Sequence, residues 1–248
     1  MVKEYTKENP LRVFTAFSGY DSQCLALNRL GIPYDLVGWS EIDKAAITAH
    51  DALFPEYKDR NYGDISKIDW SVVPDFDLFT YSSPCTDFSN AGQQAGGEEG
   101  SGTRSSLLWE CRKTILAKKP KYLLFENVKA LVTDKFLHLF EKWCKELESY
   151  GYVNYYKVLN SKDYGVPQSR ERIFMVSILR TDDEPEPYYE FPRPIKLKKS
   201  VEDVLEENVP ERYYMKPEVT ERYIEIMNQE YPDDIGDDSD LLEDEGLW

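Results

Sequence analysis

Apolar residues along the chain fall into short runs divided by amphipathic stretches, and the alternation is regular up to about residue 180. Val13 to Phe17 is an apolar run that reads as a buried strand, and Ser18-Gly19-Tyr20 follows as a turn. Asp21 to Leu30 has helical spacing, with Cys24, Leu25, Leu27 and Leu30 as its inward stripe and Gly31 as its stop. Tyr34 to Trp39 predicts a second strand, and Asp43 to Leu53 a second helix. Asp77 to Tyr81 predicts a third strand, which runs into a polar, glycine-rich stretch from Ser82 to Thr103. Arg104 to Lys118 reads as a helix, Tyr122 to Phe125 as a strand, and Lys135 to Tyr150 as a helix capped by Gly151. Val153 to Leu159 and Ile173 to Ile178 are two more strands, on either side of a turn at Asp163 to Pro167.

Strands alternating with helices predict an α/β fold on a doubly wound, mostly parallel sheet, over residues 1–180. Beyond Arg180 the pattern degrades. Asp182 to Pro194 is rich in proline and acid, so 181–217 is expected to be a linker and the start of a further region, with a short helix over Ser200 to Glu207. Residues 218–248 hold twelve acidic residues against one arginine, Arg222, and are expected to be a solvated acidic tail.

Composition adds limits. The 248 residues are 41% hydrophobic, enough for one large α/β domain. No apolar run approaches the ~20 residues of a membrane helix. Met1 to Pro10 is polar, and a cytoplasmic location is the expectation. None of the four cysteines forms a C-x-x-C pair and there are only two histidines, so no metal site is expected. The net charge of −16 disfavours phosphate binding, but the tail accounts for most of it and leaves the body near balance.

Candidate chemistry sits where strands end. The turn after the first strand offers helix N–H groups to an anionic ligand, although an ordinary tight turn has the same form. Glu41, about 20 residues on, is placed to grip a ribose diol or to sit on the surface. Asp64 suits an adenine amino group or a turn cap. Cys85 follows Pro84 in a loop after the third strand, where it is either a nucleophile or structural. Cys24, Cys111 and Cys144 have helix-like settings and read as core. Glu126 and Asn127 are delivered to the end of an apolar strand, where a carboxylate can serve as an acid. Arg170 and Arg172 stand at the mouth of the last strand. The reading sends them to opposite faces, one to a substrate and one as a brace, or takes them as a surface pair.

Taken together, these segments resemble the DNA cytosine C5-methyltransferase family from about Leu11 to Tyr214. Phe17-Ser18-Gly19 is similar to the family's first cofactor motif, Ser40-Glu41-Ile42-Asp43 to its ribose-binding acid, and Gly63-Asp64-Ile65 to its adenine-contacting segment. Pro84-Cys85 with Phe88-Ser89 is similar to the nucleophile motif, Glu126-Asn127-Val128 to Glu-Asn-Val, and Gln168, Arg170 and Arg172 to Gln-x-Arg-x-Arg. The resemblance implies a Rossmann-like methyltransferase fold with S-adenosylmethionine as donor and S-adenosylhomocysteine as product. Phe17, Ser18, Gly19, Glu41, Ile42, Asp64, Ile65 and Pro84 would hold the cofactor. Cys85 would attack C6 of a flipped cytosine in double-stranded DNA. Glu126 would bond N3 and the amino group, Arg172 the carbonyl oxygen, and Arg170 would brace the loop. Ser89, Asn127 and Gln168 would contact substrate, and Gly92 to Gly102 would form a lid.

The pattern also departs from the family. Thr86 replaces a glutamine, and Asp21 and Ser22 stand where the cofactor turn usually has glycines. No counterpart of the target-recognition domain or of the last two motifs is found between Tyr214 and Trp248. The expectation is a split, truncated or partial enzyme of bacterial or phage origin, inactive or weak alone, with a second subunit carrying the remainder. The competing readings are a tRNA cytosine methyltransferase and a non-catalytic subunit with a methyltransferase fold.

Overall fold

A computed structural model of the chain describes residues 5–84, 100–101, 104–182 and 185–230. It divides into two compact units, Met1–Lys199 and Ser200–Trp248.

The first unit is built on a six-stranded sheet in the order β2-β1-β3-β4-β6-β5. Strands β1 (Leu11–Ala16), β2 (Tyr34–Ser40), β3 (Leu78–Tyr81) and β4 (Tyr122–Val128) run parallel. Strands β5 (Tyr152–Asn160) and β6 (Glu171–Leu179) form an antiparallel pair, and β6 inserts against β4. The strand order reverses between β1 and β3, and in open α/β sheets such a reversal opens a crevice at the strand C-termini.

Apolar residues on both faces of the strands call for cover on both sides. On one side Phe14, Phe79, Tyr81, Phe125 and Met175 pack with helices α3 (Cys111–Lys118) and α4 (Leu137–Ser149), through Ile115, Phe140 and Trp143. On the other, Val13, Leu36 and Trp39 pack with Cys24 of α1 (Ser22–Leu30) and with Phe54 after α2 (Lys44–Leu53). Each fully buried large side chain contributes roughly 1.5–3 kcal/mol.

The structure corrects several sequence expectations. Leu30, assigned to the inward stripe of α1, is 72% exposed. Six residues past Cys24, it lies about 120° around the helix from it. Arg104–Glu110 winds as a 3-10 helix, and only Cys111–Lys118 is α-helical. The proline-rich stretch after residue 180 is tied to the first unit. Tyr155 donates to the Pro187 carbonyl, Tyr164 to that of Pro192 at 3.1 Å, and the Ile195 N–H to Asp163 at 2.8 Å. Tyrosine hydroxyls thus hold a segment whose prolines cannot join a strand ladder.

In the second unit, the helix expected over Ser200 to Glu207 is only a 3-10 turn, Glu202–Val204. The stretch expected to be acidic tail contains helix α5 (Pro217–Glu230). Among the described residues, no helix is long and apolar enough to cross a membrane.

Candidate active site

The C-terminal ends of β1, β2 and β3 surround a cavity of about 400 Å³ lined by Phe17, Ser40, Glu41, Ile42, Asp43, Gly63, Asp64, Ile65, Pro84 and Leu107. Its wall joins apolar Phe17, Ile42, Ile65, Pro84 and Leu107 to turns held by short polar bonds. Glu41 accepts from the Gly19 N–H at 2.9 Å, from Ile42 at 2.8 Å and from Asp43 at 2.9 Å. Asp43 then caps α2 by accepting from the Ala46 N–H. Gly19 has φ +57, and a Cβ built there would meet nothing within 4 Å, so the turn stands open beside the β1 end. Asp64 accepts from the Ser66 hydroxyl and N–H, and these bonds hold its carboxyl below the ordinary range.

These residues suit a nucleoside cofactor. The Ser18 hydroxyl, on the adjoining turn and bordering the neighbouring hollow, is buried with no hydrogen-bond partner among the described residues. Glu41 keeps lone pairs for a diol after its three backbone bonds.

A second hollow, of about 610 Å³, lies on the other side of Phe17 and has Ser82, Glu126 and Arg170 in its lining. β4 brings Glu126 one residue past Phe125, which pairs in register with Tyr81 at the end of β3. Glu126 therefore emerges beside the strand that runs into Pro84-Cys85. Arg172 comes from the antiparallel neighbour, where β6 sets Phe174 opposite Glu126 and Arg172 opposite Val128. The Arg172 Nε lies 3.2 Å from Glu126 Oε1. Burial pushes the Glu126 carboxyl above its usual range, and the charges of Arg172 and Arg170, with a bond to Ser82, pull it back only in part. A carboxyl whose pKa is raised beside a guanidinium donates a proton more readily than an ordinary carboxylate while the cation steadies developing negative charge.

The two arginines do not diverge as expected. Residues two apart on a strand share a face, and both charges bear on Glu126. Asn127, expected at a substrate, is 2% exposed. Its amide donates to the Ser83 carbonyl at 3.1 Å and its oxygen accepts from the Val128 N–H, so it braces the segment before Pro84. Its neighbour Glu126 faces the open side because successive strand residues alternate. The Gln168 N–H bonds the Val166 carbonyl in the loop before β6. Cys85, Ser89 and most of Gly92 to Gly102 lie outside the described residues.

Sequence reasoning missed Asn61 and Leu107. Asn61 accepts from the Glu41 and Gly63 N–H groups and donates to the Glu41 carbonyl at 3.1 Å, locking the β2 end to the Gly63 turn. An asparagine two residues before a glycine was the available signal. Cys24, Cys111 and Cys144 are buried. Burial raises all three thiols, Cys144 to about 12, so they remain protonated and unreactive.

The sheet and its crevice define an α/β fold of the Rossmann-like type. The chain is similar to the S. pombe Dnmt2 methyltransferase, with a TM-score of 0.63 at 22% identity over 87% of this chain and 66% of that one. A family model, C-5 cytosine-specific DNA methylase, matches residues 11–238, and the chain belongs to that family. The type II methyltransferase M2.ScrFI of Lactococcus lactis subsp. cremoris is 41% identical, over 83% of this chain and 70% of the relative. The orphan methyltransferase M.Rho11sI of Bacillus phage rho11s is 34% identical, over 91% of this chain and 49% of the relative. The chain thus spans between about half and about 70% of the length of these two relatives.

Proposed function

We propose that the chain moves a methyl group from S-adenosylmethionine to C5 of cytosine in double-stranded DNA, with Cys85 as the nucleophile. The observation that carries this reading is the pair Glu126–Arg172, 3.2 Å apart, at the strand end beside the one that runs into Pro84-Cys85. Cytosine C5 is too weakly nucleophilic to be methylated directly. The Cys85 thiolate adds at C6, and the ring electrons shift toward C5, which is covalent catalysis. Glu126, biased toward its neutral form, donates to N3, so the added negative charge does not build up on the ring. Arg172 steadies the base's carbonyl oxygen, and Arg170 adds a second positive charge beside Glu126. S-adenosylmethionine, when bound, supplies an electrophilic methyl on its sulfonium. Phe17, Ser18, Gly19, Glu41, Ile42, Asp64, Ile65 and Pro84 would hold it. A base then takes the C5 proton, the C6–S bond breaks as N3 returns its proton to Glu126, and the thiolate of Cys85 is restored. The ring must be attacked on its face, so the nucleotide leaves the duplex stack.

The net charge of −16 runs against phosphate binding. Most of that charge lies in residues 218–248, so the near-balanced body is the part that would meet DNA, with a second subunit proposed to carry further recognition residues. The setting is the cytoplasm of a bacterial cell, consistent with the bacterial and phage sources of the relatives.

Duplex DNA carrying 5-fluorocytosine tests the chemistry, because fluorine blocks the last elimination and leaves the adduct in place. With S-adenosylmethionine, and with the product of any neighbouring reading frame added, the wild type forms a covalent complex and Cys85→Ser forms none. Labelled methyl goes to DNA and not to tRNA. An adduct that survives in Cys85→Ser, or transfer to tRNA alone, overturns the reading.

A further inference from the structure

A buried carboxylate stands where the cofactor turn usually has a glycine. Asp21 is 0% exposed and has φ 64, ψ 59, the left-handed region that glycine enters freely and aspartate with some cost. What the side chain does there sets it apart from a mere substitute for glycine.

Its two oxygens are both engaged. Oδ1 accepts from the Cys24 N–H at 3.3 Å, which caps α1. Oδ2 accepts from the Thr15 hydroxyl at 2.8 Å, on β1, two residues before Phe17. The Asp21 N–H closes the turn onto the Ser18 carbonyl at 2.8 Å. The His50 ring of α2 packs beside the same carboxylate, with Nε2 3.7 Å from Oδ2, longer than a hydrogen bond, and both its ring nitrogens lack a hydrogen-bond partner among the described residues. The His50 ring is fully buried and stacked on Trp39, centroids 3.6 Å apart, two residues before Glu41 on β2. One carboxylate therefore ties β1 to α1, the elements that flank Phe17, Ser18 and Gly19, with the buried His50 ring packed beside it.

We propose that Asp21 is a positioning residue for the cofactor: through Thr15 and the α1 cap it fixes the Ser18-Gly19 turn against Glu41. This rests on the cofactor reading above. Glycine would satisfy the backbone at position 21 but would release both side-chain attachments. The Gly19 N–H to Glu41 bond, at 2.9 Å, is the contact that would loosen first.

The test uses the full chain, with S-adenosylhomocysteine as the probe in calorimetric titration, alongside thermal melting and amide hydrogen exchange without ligand. Asp21→Gly is expected to weaken binding at least tenfold and to speed exchange at Gly19. Asp21→Asn keeps the left-handed preference and the cap acceptor, and should recover most of the loss. Thr15→Val, nearly isosteric, should weaken binding severalfold while the protein stays folded. Leu147→Ala on α4, a core variant away from the turn, controls for stability and should lower the melting temperature without changing affinity. If Asp21→Gly and Thr15→Val bind like the wild type with unchanged Gly19 exchange, the positioning role is overturned and the cofactor reading stands. If the wild type itself binds no S-adenosylhomocysteine, both fall.

Discussion

The two hollows that meet at Phe17 are built from different materials. The cavity at the ends of β1, β2 and β3 joins apolar lining residues to turns whose backbone is set by N–H groups gathered by Glu41, by Gly19 and Gly63, and by Asn61 as a clasp. The hollow by β4 and β6 depends on charged side chains, Glu126 with Arg170 and Arg172. A backbone site tolerates a change of letter if the new residue restores the same geometry, as Asp21 does in a glycine's place. A charged pair has no such freedom, because its chemistry lies in the side-chain atoms themselves.

The sharpest way to break that contrast is Glu126→Gln. In an assay with the completed enzyme, methyl transfer should fall about a hundredfold or more, the range for loss of a general acid, while S-adenosylhomocysteine binding is unchanged. The same variant has a pH signature. Burial raises the Glu126 pKa in the folded state, so the native protein holds a proton that the unfolded chain releases. Stability then falls as pH rises from the ordinary carboxylate value through the raised one. Glu126→Gln lacks that loss, so its melting temperature should gain on the wild type across this window and run parallel on either side of it. Parallel melting curves throughout would show that the carboxyl titrates normally.

Glu41→Gln should produce the reverse split. Weakening its charge-assisted bonds to three N–H groups costs about 1.5–3 kcal/mol. Cofactor affinity should drop roughly ten- to a hundredfold in titration, and the rate at saturating cofactor should stay within a few fold. The smallest effect is expected at the rim. Lys67 lies 3.2 Å from Asp64 but is 80% exposed, so Lys67→Ala should change melting by less than about 1 kcal/mol and leave binding alone.

Much of this arrangement could be read along the chain, because strands and motif letters are local signals. The apolar runs around Phe14, Leu36, Phe79 and Phe125 placed the strands, and Glu126 and Glu41 fell at their ends. What escaped was relational. The order in which β6 enters beside β4 is not written in any window of residues, whereas the shared face of the two arginines was open to the two-residue alternation of a strand. Asn127 looked like a substrate ligand because strand alternation separates it from Glu126 by one position only. Leu30 followed an apolar count and not the angle around the helix. Asp21 seemed a lapse in a glycine pattern until Thr15 and His50, distant in sequence, came to either side of it. Tyr155 and Tyr164 capture the proline-rich stretch through hydroxyls, which leaves no hydrophobic periodicity to detect.

The insertion of β6 between β4 and β5 has a consequence for biosynthesis. A nascent chain can assemble the first three strands early, but β4 stays an unpaired edge until Glu171–Leu179 has left the ribosome. Open edges with apolar flanks invite pairing with other chains. Truncations that stop short of β6 should therefore aggregate, whereas those cut after the final hairpin should remain dispersed.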